Sequence, residues 1–196
     1  MARMMQKRTL ETRARLVSVA EDMVASKAFE ALRVEDVVQA AGVAKGTFFA
    51  HFKDKDALMD RLIGDRMNAE LDRVDTDTAP SGVTDIVDRM LPLLTFMTSE
   101  RYVFDVILRY SGAAAREEIG VIAGTFARQI EIFERWIAAG PFRQDVSPAL
   151  LAEGVQAFAV QVMALRFCAL HSENGLRDPL IAYLKAWLRP SVQTSA

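Results

Sequence analysis

The stretch AAGVAKGTFFAHFKDK, residues 40–55, decides how this chain is read. Just before its turn, Val34, Val37, Val38 and Ala41 recur at helical spacing, and Gly42 can take the left-handed backbone that a tight helix stop needs. A second short helix is predicted over residues 45–51. Asp54 is then placed to cap another helix, which carries Leu58, Leu62 and Ile63 to about Val74. A longer helix comes first: Leu16, Val17, Ala20, Met23 and Val24 share a face, with Thr9 as candidate cap and an end near Lys27 or Ala28. Helix, tight turn and helix, with a third helix in front, is an arrangement that lays a short helix in the DNA major groove, where base edges differ. The residue types suit that use. Gly46 lets backbone approach sugar and phosphate, and Thr47 offers a hydroxyl and a methyl to base edges. Lys45, Lys53 and Lys55 flank the helix with positive charge, and His51 can donate to a phosphate oxygen. Phe48 and Phe52, four apart, share the inward face.

Over the whole chain the 196 residues are 51% hydrophobic and 26% charged, which supports a folded core and argues against disorder. The net charge of -2 excludes a general polyanion binder. The first fifteen residues differ from the whole: Arg3, Lys7, Arg8, Arg13 and Arg15 face only Glu11, a basic arm of the kind that tracks phosphates. Cys168 is the single cysteine, so no intrachain disulfide or Cys-rich metal site can form, which fits a reducing compartment. The N-terminus lacks the apolar run of a secretory signal. The most apolar segment, 154–165, is interrupted by Gln156 and Gln161 and falls short of the roughly 20 residues that a membrane span needs. A cytoplasmic protein with no membrane partner, metal or cofactor is expected.

The remainder also reads as helix. After the turn-rich segment 75–82, helices are predicted over 83–99, with Pro92 as a kink, over 102–111, and over 113–139 up to the stop at Gly140-Pro141. Ser147-Pro148 opens a helix to about His171, and Asp178-Pro179 opens a last one to about Leu188. No alternating run is long enough for a sheet, so the predicted fold is all-α.

The window VEDVVQAAGVAKGTFFAHFKDKDAL resembles the DNA-binding signature of the TetR family of bacterial transcriptional repressors, which commonly reads AGVS, then GTLYxHF, then KxEL. The resemblance covers residues 9–62. It implies an N-terminal three-helix helix-turn-helix domain over 1–54 and a C-terminal helical ligand-binding and dimerisation domain over 55–196. Lys45, Gly46, Thr47 and Ala50 would face the groove, and His51 and Lys55 would meet phosphates. The chain departs from the pattern at Phe49 for Tyr, which loses a hydroxyl, and at Ala44 for Ser, which loses a cap worth about 1 kcal/mol. Val38 and Ala28 stand where the family usually has Ala and Gly.

The helix from Pro148 is apolar on more than one side, which requires burial on both, and the last helix is apolar too. By resemblance the two build a four-helix dimer interface, with Leu151, Val155, Val162, Leu165, Leu184 and Trp187 as contacts. Met90, Leu94, Met97, Phe104, Phe126, Phe133 and Phe158 are the candidate lining of a cavity for a small, mostly apolar effector, with Arg109, Arg128, Gln129 and Glu131 as candidate polar handles. The expected protein is a dimeric repressor that binds a palindromic double-stranded DNA operator and is released by that effector, through the helix from Asp54 as lever. The rival reading is a helical adaptor or small-molecule-binding protein without sequence-specific DNA binding. An enzyme is not expected: two histidines and one cysteine offer little to build from, and Glu117 and Glu118 read as a solvated surface pair.

Overall fold

A computed structural model describes residues 2–76, 78–111, 119–168, 170 and 175–189. Among them every regular element is a helix: α1 (Ala2–Ser26), α2 (Val34–Ala40), α3 (Lys45–His51), α4 (Lys55–Val74), α5 (Val83–Met97), α6 (Arg101–Tyr110), α7 (Val121–Ala139), α8 (Pro148–Arg166) and α9 (Arg177–Leu188). The fold is all-α, as expected.

By contacts the chain divides into two compact units. The first holds residues 1–66 and 102–122, so α6 belongs with the three N-terminal helices and with the start of α4. Its core includes Leu16, Ala20, Leu32, Val37, Phe48, Phe52, Leu58, Ile63, Val103 and Ile107. The second holds residues 67–101 and 123–196, where α8 and α9 pack on each other and both touch α5.

Local chemistry accounts for most boundaries. α2 ends in a Schellman closure: Gly42 donates to the Gln39 carbonyl (3.1 Å), Val43 donates to the Val38 carbonyl (3.0 Å), and Gly42 has φ 63°. Asp54 caps α4 by accepting the Ala57 N–H at 2.8 Å, and Ser147 caps α8 by accepting that of Leu150 at 3.4 Å. Three expected boundaries need correction. α1 starts at Ala2, so Thr9 lies inside it; Met, Arg, Gln and Lys are good helix formers and nothing before Thr9 breaks the run. α8 ends at Arg166, where Phe167 and Cys168 donate back to Ala164 and Leu165 in tighter turns. His171 and residues 172–174 lie outside the described residues.

The third correction concerns α7, which starts at Val121; Ile119 and Gly120 precede it, and residues 112–118, with Glu117 and Glu118, lie outside the described residues. Its cap comes from another helix. Asp60 of α4 is buried, and its two carboxylate oxygens accept the N–H groups of Val121 (3.0 Å) and Ile122 (3.1 Å). A negative side chain at the positive end of a helix is favoured twice, by hydrogen bonding and by the dipole. Gly120 makes room for it, because a Cβ there would lie 2.5 Å from the Asp60 carboxylate. Asp60→Ala is expected to lower stability by about 2–3 kcal/mol, since it leaves buried amides without partners; urea denaturation reads this directly, and an unchanged midpoint would discard the role.

Candidate nucleic-acid interface

α3 has only seven residues, too few to hold a helix in water by itself. Packing supplies what length does not. Phe48 and Phe52 are buried with ring centroids 5.5 Å apart, and they fix which side of α3 turns outward. On that outer side Lys45, Gly46, Phe49 and Ala50 are exposed, while Thr47 and His51 are half-buried at its margins. A Cβ added at Gly46 would meet nothing within 4 Å of its own chain, so internal packing does not require the glycine. Phe49 is 48% exposed and meets Phe48 edge-on at 5.3 Å. Sequence reasoning treated it only as a missing tyrosine; the signal was its place one residue off the Phe48–Phe52 stripe.

The cations are not equivalent. Lys45 is exposed and sits 2.5 Å from a carboxylate oxygen of Glu35 on α2, which lowers the Glu35 pKa chiefly through that hydrogen bond. Lys55 is drawn inward: its ammonium donates to the Glu30 carbonyl at 2.9 Å and lies 4.8 Å from the centre of the Tyr102 ring. Burial lowers its pKa. Asp56 beside it accepts from the Tyr102 hydroxyl at 3.3 Å and pairs with Arg109 at 2.9 Å, so α6 grips the first turn of α4 through two side chains. Burial, then the Asp56 carboxylate, pushes the Tyr102 phenol upward, and it stays protonated as the donor. Arg13, read as part of the basic arm, instead donates to the carbonyl of His51 at 2.9 Å.

In the second unit the expected interface residues Leu151, Val155, Val162 and Leu184 are buried within their own chain, which leaves them no surface for a second copy. Leu165 and Trp187 are half-exposed. The outward aromatic cluster is Phe158, stacked on Tyr183 (5.3 Å) and edge-on to Trp187 (6.0 Å), with Leu150 51% and Tyr183 37% exposed. Gly154 admits the indole of Trp187, whose N–H donates to the Leu151 carbonyl at 3.0 Å; a Cβ at Gly154 would lie 2.3 Å from the indole nitrogen. Among the described residues α8 alone is long and apolar enough to cross a membrane by length and composition. It also carries polar groups tied to its own chain, as where the Gln156 amide donates to the Gln129 side chain (3.1 Å) and the Phe126 carbonyl (3.0 Å).

Of the candidate pocket residues, Met90, Leu94, Met97, Phe126 and Phe133 are buried in the second unit, Phe104 is buried in the first, and Phe158 belongs to the outward cluster. Among the four polar handles only Gln129 is buried; Arg109 pairs with Asp56, Arg128 with Asp72 and Asp75, and Glu131 is exposed. A surface pocket of about 390 Å³ lies elsewhere, lined by Ser81–Asp85, Pro141, Phe142, Lys185, Leu188 and Arg189. The Trp136 N–H is buried without a hydrogen-bond partner. Among the described residues no group of three or more His, Cys, Asp or Glu could hold a metal ion.

Asp75, just past α4, pairs with Arg128 at 3.0 Å and with Arg135, both on α7. The Arg128 hydrogen bond leads in lowering its pKa. A carboxylate whose folded pKa lies below its unfolded value stabilises fully above the unfolded value, about 3.9, and loses that contribution as pH falls through the folded one. Partly exposed, the pairing is worth at most about 1 kcal/mol. Wild type and Asp75→Asn are expected to differ in stability at pH 7 and to converge in denaturation series as acid protonates the folded carboxylate; a difference that persists in strong acid would contradict this.

Residues 16–62 match the family described as bacterial regulatory proteins, tetR family. The chain is 30% identical over 115 residues to an uncharacterized HTH-type transcriptional regulator, YvdT, of Bacillus subtilis; that alignment covers 56% of this chain and 57% of the relative, little more than half its length. Its fold is similar to that of RolR in complex with resorcinol, with a TM-score of 0.63 and 16% identity over 93% of this chain and 88% of the other. The SmeT–triclosan complex is similar with a TM-score of 0.57 and 20% identity over 91% and 92%; SmeT is the repressor of a multidrug efflux pump of Stenotrophomonas maltophilia.

Proposed function

We propose that the chain, whose residues 16–62 match the bacterial regulatory proteins of the tetR family, is a transcriptional regulator of that family with a helix-turn-helix reading head, and that it acts as a cytoplasmic homodimeric repressor. It binds a palindromic operator and releases it when a small, mostly apolar effector occupies the second unit. One observation carries the reading: α3 is pinned by Phe48 and Phe52 so that Lys45, Gly46 and Ala50 stand exposed together, around a glycine that the chain's own packing does not need. Lys45 and Thr47 address the bases and nearby phosphates. His51 contacts a phosphate through its ring. Lys55 joins only by exchanging the Glu30 carbonyl for a phosphate oxygen, so its share is smaller than its charge implies.

Two copies associate through the outward face of α8 and α9, centred on Phe158, Tyr183 and Trp187. A twofold pair sets two reading heads roughly 34–36 Å apart on one side of the duplex. The effector site draws on the buried Met90, Leu94, Met97, Phe126 and Phe133, whose thioether and aromatic groups can repack around an apolar guest. RolR with resorcinol and SmeT with triclosan support a small organic effector. Differential affinity for two states of 1–3 kcal/mol corresponds to roughly 5- to 150-fold weaker operator binding. The protein carries no catalytic role in this reading.

The experiment is in vitro selection of duplexes by the wild-type protein, followed by gel-shift titration. Thr47→Ala with Lys45→Ala is expected to weaken binding to the selected duplex at least tenfold, about 1.4 kcal/mol, while the oligomer stays intact. Selection that returns no shared sequence, or a double variant with wild-type affinity, would overturn the reading and favour the adaptor.

A further inference from the structure

Arg13 stands on α1, 38 residues before the group it bonds, and its guanidinium has two partners that no sequence pattern announces. Its Nη1 donates to the His51 carbonyl at 2.9 Å, and its Cζ lies 4.6 Å above the ring centre of the buried Phe52. His51 is the last residue of α3, and Phe52 leaves the helix in an extended conformation, with only its own N–H returning to the Phe48 carbonyl. The final carbonyls of a helix lack intrahelical donors and carry its partial negative charge, and a cation placed there satisfies both.

α3 also has no side-chain cap and no acidic residue in its first turn, where Lys45 adds a positive charge to the positive end. A seven-residue helix with those defects takes its orientation from tethers. One is the Glu35–Lys45 pair to α2. The other is Arg13 to α1, through a planar group that stacks and donates in one geometry.

We infer that Arg13 is a positioning residue for the reading helix: it fixes the C-terminal end of α3 from α1, and its charge is spent on that helix instead of on DNA phosphate. The inference rests on the DNA-reading role proposed for α3. Arg13 is exposed, as are Arg8 and Arg15 on the same helix, so its bond to the His51 carbonyl, not burial, is what separates it from those cations, and Lys7 pairs with Glu11 at 3.9 Å.

Two measurements on the full-length protein test it. The first needs no DNA. In Arg13→Ala, amide hydrogen exchange at the end of α3, read at Phe52, is expected to accelerate roughly tenfold while buried α1 amides keep their rates; wild-type exchange at Phe52 would overturn the inference. The second uses the duplex selected by the wild-type protein and a scrambled duplex of equal length. Arg13→Ala is expected to lose about tenfold in discrimination between them, while affinity for the scrambled duplex and its salt slope stay at wild type. A phosphate contact predicts the opposite: a slope shallower by about 0.9 and equal losses on both duplexes. Should Arg13→Ala fail to fold, Arg13→Lys carries the test, because it keeps the charge and loses the planar stack. Reduced discrimination at an unchanged slope then supports positioning, and wild-type discrimination overturns it. If the wild-type protein selects no duplex, the DNA-reading proposal fails, and the exchange measurement still decides whether Arg13 holds α3.

Discussion

Phe158→Glu is expected to turn the protein into a folded monomer and to weaken operator binding by two orders of magnitude or more. Phe158 is the centre of the outward cluster on α8 and α9, stacked on Tyr183 and edge-on to Trp187. In a twofold interface each substitution occurs twice, so two carboxylates enter one apolar patch and face each other without partners. Losing a central aromatic anchor costs about 2 kcal/mol or more, and two such losses amount to about 4 kcal/mol, near a thousandfold in the association constant. Analytical ultracentrifugation reads the mass, and circular dichroism shows whether the helices survive. The matched control is Leu151→Ala. Its side chain is buried within the chain, so truncation should lower stability by about 2–5 kcal/mol without dissociating dimers that remain folded. If Phe158→Glu stays dimeric while Leu151→Ala dissociates, the two faces of α8 have been exchanged.

The second large effect is expected at Phe48. Its side chain is fully buried and contacts both Phe49 and Phe52, and it is the main apolar anchor of a helix too short to persist alone. Phe48→Ala should cost about 3–5 kcal/mol and abolish DNA binding, while association through α8 and α9 persists. Phe49→Ala is the contrast: the ring is half out of the chain, and its removal should change stability by less than about 1 kcal/mol. Thermal denaturation of both variants decides. Comparable losses at the two positions would mean that α3 is not oriented by Phe48.

What could be read in advance divides along physical lines. α3 was legible to the residue, because every signal that bounds it is local: the Gly42 stop, the Phe48–Phe52 spacing and the Asp54 cap. The start of α7 was not, because its cap is Asp60, some sixty residues away, and Ile119-Gly120 carries no capping group. The faces of α8 were not legible for a related reason. A helix apolar nearly all round has no polar stripe to set its phase; Leu151 and Val155 are buried within the chain, while Phe158 is half-buried beside Tyr183 and Trp187. Lys55 and Arg13 show a third limit. Charge and position suggested phosphate contacts, but their partners are the backbone carbonyls of Glu30 and His51, and a carbonyl has no sequence signature. Six of the seven candidate effector residues, all but Phe158, are buried, yet burial alone distinguishes a core from a cavity no better than hydrophobicity does.

The central claim is that the outer side of α3 enters the groove of DNA. The most direct measurement is strand cleavage by an iron chelate tethered at Ala50→Cys, with Cys168→Ser to remove the native thiol, on the duplex selected by the wild-type protein. Ala50 is exposed on that outer side, so two focused clusters of cleavage are predicted, centred about one helical turn apart and related by the operator's symmetry. Uniform cleavage along the duplex, or none under conditions where the tethered protein still shifts it, would contradict the account.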